Sequence, residues 1–234
     1  MRFQAITNPA RFFALLALPM LGCSRGEPET AYASSNTAQS AIATQGAAQK
    51  TEKGVALRLV LASSGNEARY RVREQLVGHD LPNDAVGETA KLTGAISIDS
   101  SGKVIREASK FTVDAGSFVS DMKRRDGFVR GRLLEADEYP TIAFVPTSVS
   151  GVSLPLPTSG TRQIEMTGDL TVRGVTKPTT WKGSVEFKNG SVAGSASTAF
   201  TFDDMQLEQP RVPVLMSVAD TIKLEIDFNL IQQK

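Results

Sequence analysis

The sequence predicts an all-β domain, an antiparallel β-barrel with one short helix over an opening. Three observations lead there. Apolar and polar residues alternate with a period of two along most of the chain after Glu52. Turn-forming residues separate the alternating runs, among them Ser63-Ser64-Gly65-Asn66, Ser100-Ser101-Gly102 and Asn189-Gly190. About nine such runs with mostly short connections favour closure, because a closed sheet leaves no unpaired edge. A two-sheet sandwich satisfies the same periodicity and stands as the alternative.

Taken in order, the chain opens on an address. Arg2 and Arg11 are followed by the uncharged run from Phe12 to Leu21. That run is far shorter than the roughly 20 residues a membrane-crossing helix needs, and it suits the apolar core of a signal peptide. Leu21-Gly22-Cys23 follows directly and resembles the lipobox of bacterial lipoproteins. The resemblance implies that residues 1–22 are removed and that Cys23 carries a thioether-linked diacylglycerol as the first residue of the mature chain. Cys23 is also the only cysteine, so it has no internal disulfide partner. Residues 23–51 are rich in Ala, Ser, Thr, Gln and Gly and are expected to form a flexible linker. Such a coil has a mean reach of about 30 Å, which keeps the folded domain close to a bilayer. Ser24 stands where an aspartate favours inner-membrane retention in enteric bacteria. By that analogy the expected location is the outer membrane, facing the periplasm.

Residues 52–234 hold the barrel. The expected strands are Val55 to Ala62, Ala68 to Val77, Thr89 to Asp99, Val104 to Asp114 and Thr141 to Val149. Ile164 to Arg173, Thr180 to Phe187, Val192 to Phe202 and Ile222 to Leu230 complete the set. The last is the clearest, with Ile222, Leu224, Ile226, Phe228 and Leu230 set against Lys223, Glu225, Asp227 and Asn229. Asn189-Gly190 lies between two runs and is a strong hairpin signal.

One segment keeps a helical spacing instead. Phe118, Met122, Val129 and Leu133 predict a short, imperfect helix between Phe118 and Ala136. Ser120 or Asp121 is placed to cap it, and Gly127 and Gly131 weaken it. Its charges (Lys123, Arg124, Arg125, Asp126, Arg130, Arg132) read as a solvated face.

A barrel of this size either fills its interior with side chains or holds one small ligand. Gly94, Gly168 and Gly183 fall on apolar faces, and the inward set of Val192 to Phe202 runs from small to aromatic. Small inward residues leave volume and tilt the reading towards a cavity, although each glycine alone is also explained by strand coiling.

Two motifs carry a family resemblance. Arg125-Asp126, Arg130 and then Tyr139-Pro140-Thr141-Ile142-Ala143-Phe144 resemble the "RD … YP.I.F" signature of YceI-like proteins. The segment from Gly168 to Pro178 is similar to that family's "G.LTI.GVTKP" stretch. The closing pattern, Phe200 to Asp204 and then Val218 to Leu230, is similar as well. Together the match runs from about Leu92 to Ile231. Two departures bear on the ligand rather than the fold: Leu133-Leu134-Glu135 replaces the family's paired phenylalanines, and Glu67 to Asp84 differs from its usual opening.

The resemblance implies an extended, lipocalin-like barrel with a long apolar tunnel for polyisoprenoids, quinone-type lipids or related amphiphiles. Carried onto this chain, the lining falls to Phe111, Phe118, Phe128, Leu133, Phe144, Trp181, Phe200 and Phe202. Arg125-Asp126 would pin the covering helix to strand ends, and Tyr139-Pro140 would set the turn into the next strand.

Other classes find little support. The net charge is +1, with 26 basic and 25 acidic residues, so no basic field points to nucleic acid. Zinc sites draw on several His and Cys side chains, and this chain has one of each. His79, in Val77-Gly78-His79-Asp80, reads as a turn residue; no nucleophile elbow or phosphate loop accompanies it. The expectation is a lipid-binding module without catalysis, cofactor or metal, anchored to a membrane, with monomer and homodimer both open. A structural lipoprotein with a filled barrel is the alternative.

Overall fold

The computed structural model describes residues 54–233, and within them the alternation becomes an antiparallel sheet of eleven strands. In chain order they are β1 (Val55–Leu61), β2 (Glu67–Leu76), β3 (Asn83–Thr89), β4 (Leu92–Asp99), β5 (Lys110–Asp114) and β6 (Val119–Ser120). Then follow β7 (Thr141–Ser150), β8 (Ser159–Val172), β9 (Val175–Lys188), β10 (Ser191–Thr201) and β11 (Leu215–Gln232). Helix α1 (Lys123–Phe128) runs into a wide π-type turn over Val129–Leu133. Cys23 and the linker lie outside the described residues.

Closure comes from β1, which pairs with β4 on one side and β11 on the other. The ring runs β1-β4-β5-β7-β8-β9-β10-β11 and returns to β1. It therefore has eight strands, and the sandwich alternative falls away. The remaining three extend it. β1 and β2 follow one another along β11, with Leu61 opposite Leu230 and Glu67 opposite Asp227. β3 pairs with β2 as β4 pairs with β1, and β6 pairs with β3 as β5 pairs with β4. Three neighbouring strands are thus interrupted side by side, at 62–66, 90–91 and 115–118, and continue beyond the break.

One expected strand shortens, and two short strands, β3 and β6, are added. Val104 to Asp114 keeps only β5, because Ser109 Oγ donates to the Ile105 carbonyl (2.7 Å) and the chain turns over Arg106–Ala108. β3 was not expected, since Asn83–Thr89 turns only Ala85, Gly87 and Thr89 to the buried side. Those residues are too small or polar to register as a strand face, and pairing with β2 and β6 makes it one. At the β9–β10 hairpin, Asn189 (φ 45°) and Gly190 (φ 87°) supply the two positive φ angles of a type I′ turn.

The core divides into two clusters along the barrel. The lower one joins Leu57, Leu59, Ile96, Ile98, Val185, Phe187 and Phe228, and Val152, Leu154 and Leu156 of the β7–β8 loop pack against it. The upper one joins Phe118, Val129, Leu134, Leu170, Phe202, Met205 and Ile222 beneath the helix. Phe111, Met166 and Trp181 touch both clusters and form the waist.

Candidate ligand-binding site

Period-two pairing turns Tyr70 and Val72 of β2, Ile142 and Phe144 of β7, Trp181 of β9 and Leu224 of β11 into the barrel. They enclose two cavities. The outer one, of about 190 Å³, lies beneath α1 and is lined by Tyr70, Val72, Phe118, Phe128, Leu133, Phe200, Phe202 and Ile222 among others. The inner one, of about 120 Å³, is lined by Phe111, Phe144, Ile164, Met166, Leu170, Trp181 and Phe228 among others. Phe118, Ile142 and Leu224 belong to both walls. The eight residues drawn from the sequence are accordingly distributed: Phe128, Leu133, Phe200 and Phe202 outside, Phe111, Phe144 and Trp181 inside, Phe118 between.

Tyr70, Val72, Ile142, Met166 and Leu224 were missed as lining. Their signal was present, since Ala68, Tyr70, Val72 and Leu76 lie on one period-two face. Tyr70 enters the barrel because β3 makes room for it. A Cβ on Gly87 would sit 2.2 Å from the Tyr70 ring, so a larger residue there would push the ring aside. The ring stacks at a tilt on Phe118, 5.6 Å between centroids. Burial pushes the Tyr70 hydroxyl pKa up to about 12, against the pull of the Arg125 charge.

The inward glycines do not create the cavities. A Cβ on Gly183 would lie 2.0 Å from the Ser195 carbonyl oxygen, and one on Gly168 would lie 2.7 Å from Phe144 Cζ. Neighbouring backbone and the Phe144 ring already fill that space. Glycine here permits close, coiled strands, and the volume arises where large side chains fail to meet across the barrel.

The helix charges are not all solvated. Arg125 donates to Glu74 of β2 at 2.6 Å, with the two side chains only 11% and 8% exposed, and both line the outer cavity. Arg125 also pairs with Asp121, and Asn83 Nδ2 donates to Glu74 at 3.4 Å. Burial opposes the Arg125 charge, but Glu74 and Asp121 outweigh it and hold the guanidinium above its ordinary pKa. Asp126 is buried too. Its carboxylate accepts from Ser120 N (2.8 Å) and Ser120 Oγ (2.6 Å). The expected cap is therefore reversed: no side chain caps α1, and the helix's own aspartate reaches back to the strand before it. Arg125 and Asp126 tie the helix to β2 and β6 rather than to each other. His79 is exposed in the β2–β3 turn.

Trp181 of the inner wall carries an unmatched polar atom. Trp181 meets Phe144 edge to face, with centroids 6.0 Å apart and planes at 64°. Its Nε1–H is buried and has no acceptor among the described residues. An unmatched buried donor of this sort destabilises by about 1–3 kcal/mol. Apart from it the walls are suited to holding hydrocarbon, since each Å² of apolar area taken from water contributes about 25 cal/mol.

Fold and cavity together define a class: an eight-stranded antiparallel barrel with an apolar interior, the architecture lipocalins use to hold one small ligand. The YceI-like domain model matches residues 60–230, and the chain belongs to that family. The match starts well ahead of Leu92, where the motif resemblance begins, so β2 belongs to the shared fold despite its altered sequence. A UPF0312 protein of Pseudomonas putida is 31% identical over 137 residues, 55% of this chain and 65% of the relative. The chain thus spans somewhat less than two thirds of that relative's length. Among solved structures, the chain is similar to a polyisoprenoid binding domain from Saccharophagus degradans (TM-score 0.58, 14% identity, 76% of this chain and 99% of that one). It is also similar to BcnA of Burkholderia cenocepacia (TM-score 0.51, 16% identity, 70% and 95%). At these identities the likeness is one of fold.

Proposed function

We propose that this protein binds an apolar lipid, a polyisoprenoid or quinone-like amphiphile, inside its barrel and stores or carries it near a membrane without catalysing a reaction. The observation that carries the reading is the pair of largely apolar cavities that adjoin at Phe118, Ile142 and Leu224, one above the other in the barrel. Membership of the YceI-like family and the fold shared with a polyisoprenoid-binding domain support it.

The rim at the helix end supports loading from a bilayer. Leu81 in the β2–β3 turn is 78% exposed and Met216 at the start of β11 is 63% exposed, with Val77 and Val214 beside them. Val77 N donates to the Val214 carbonyl (2.9 Å), so turn and strand form one apolar lip. Leu76, Val214 and Leu215 belong to both this lip and the outer cavity wall. The lipobox-like sequence supports export and an anchor on Cys23, in the outer membrane facing the periplasm. Intact-mass analysis of the exported chain tests this: an unmodified Cys23 refutes the anchor.

The function is tested by purifying residues 51–234 without detergent, extracting with organic solvent and analysing the extract by mass spectrometry. A stoichiometric prenyl quinone or polyprenol is expected. An empty extract, repeated after incubation with membrane lipids, would instead mean a filled barrel.

A further inference from the structure

We propose that the helix end of the barrel docks on a bilayer bearing anionic headgroups, and that exposed cations of the covering helix select that surface. The inference rests on the reading of this rim as the place of loading. It adds the charge of the membrane that the apolar lip enters.

The charges of the covering segment lead to it. Lys123 and Arg124 of α1, and Arg130 and Arg132 of the turn that follows, are all exposed. The carboxylates of the segment are already engaged: Asp121 pairs with Arg125, and Asp126 accepts from Ser120. The ion pairs around the helix run through Arg125, Glu74, Asp121, Arg173 and Glu135. They leave the four exposed cations without an acidic partner among the described residues. Asp80 of the β2–β3 turn and Glu208 are exposed carboxylates on other segments, so every unpaired charge of the helix and its turn is positive.

These cations stand beside the lip. Arg125 is held on Glu74 at 2.6 Å, and Val77 of the lip follows Glu74 by three residues, about 10 Å at the rise of a strand. Met122 and Arg124, on either side of Lys123, both line the outer cavity, as do Val212 and Val214. The apolar residues gather at the same place. Seven large apolar side chains are exposed among the described residues, and Val77, Leu81, Met122, Val214 and Met216 are five of them.

The pairing of the two surfaces selects the partner. Leu81 and Met216 gain by entering hydrocarbon, which a soluble acidic protein does not offer. Lysine and arginine gain from the negative potential of an anionic leaflet, which falls off within a Debye length of about 10 Å in about 0.1 M salt. Their long stems lie along apolar surface while the charged ends stay among the headgroups. A zwitterionic bilayer offers the lip the same hydrocarbon without that potential.

The test uses residues 51–234, which contain every strand of the ring and lack Cys23, so no lipid anchor contributes. Sedimentation with phosphatidylcholine vesicles is compared with vesicles in which about one third of the lipid is phosphatidylglycerol. In about 0.1 M salt the anionic vesicles are expected to bind on the order of tenfold more tightly. In about 1 M salt, where the Debye length is about 3 Å, most of that difference should vanish. The double variant Lys123→Gln with Arg124→Gln should lose on the order of tenfold on anionic vesicles and little on neutral ones. Lys103 and Lys188 are exposed at the opposite end, beside the pairs of Val55 with Asp99 and of Gln232 with Gly190. Changing both of these to Gln removes the same charge and should alter binding by less than about twofold.

Equal binding of the wild type to both kinds of vesicle overturns the role of the cations while loading at the lip stands, and this comparison needs no variant. Equal losses in the two double variants overturn it as well, since net charge alone would then explain the preference. Failure to sediment with either vesicle overturns the contact of the lip with a bilayer and this inference with it. Lipid binding inside the barrel is judged separately, by the solvent extract.

Discussion

Glu74 and Arg125 meet at 2.6 Å in the wall of the outer cavity, so deleting one charge strands the other among carbon atoms. Arg125→Met is expected to destabilise the barrel by about 3–5 kcal/mol, and adding Glu74→Leu should recover most of the loss. Urea midpoints of the two variants decide it; a double variant no better than the single one refutes the pairing. Tyr70 gives a pH signature. Its pKa rises from 10.0 to about 12 on folding because burial disfavours the phenolate. The folded chain therefore holds that proton more tightly, and the contribution is complete below pH 10 and lost as pH climbs towards 12. Relative to Tyr70→Phe, the wild type should lose at most about 2–3 kcal/mol across that window. Parallel pH profiles for the two proteins would rule this out. Neither effect was legible beforehand. Arg125 sits in a run of charges that looks like a solvated face, and only its partner 51 residues away draws it inside.

At the scale of elements, the lip formed by the β2–β3 turn and the start of β11 is where the barrel would touch a bilayer. Leu81→Asp with Met216→Asp should slow uptake of a prenyl quinone from vesicles by about tenfold or more, because two charges would enter the interface. Both residues are exposed, so the melting temperature should hardly move. Transfer at the wild-type rate would show that loading occurs elsewhere. The strand faces themselves were read correctly where large apolar residues alternate, as from Ile222 to Leu230. β3 escaped because its inward residues are Ala85, Gly87 and Thr89. Its identity as a strand comes from hydrogen bonds to β2 and β6, and from the need to leave Tyr70 room.

The whole molecule is a closed ring with two apolar clusters and space between them, so a bound lipid would join the clusters across the waist. Stripping the lipid should lower the melting temperature, and adding it back should restore it in a concentration-dependent way. At a hundred times Kd the stabilisation is about 2.7 kcal/mol. A melting temperature that ignores added lipid would show that nothing enters the barrel.

The sequence by itself determined the fold class, the inward face of most strands and the place of the covering helix. These follow from local geometry, since side chains alternate across any strand and recur by turns along any helix. Tertiary structure alone decided the closure of β1 onto β11, the aligned breaks in three strands and the burial of Arg125 and Asp126. It also decided that the inward glycines are filled by neighbouring strands and that Trp181 faces a cavity with its N–H unmatched. Each of these depends on which distant residues become neighbours, and periodicity carries no information about partners far apart in the chain.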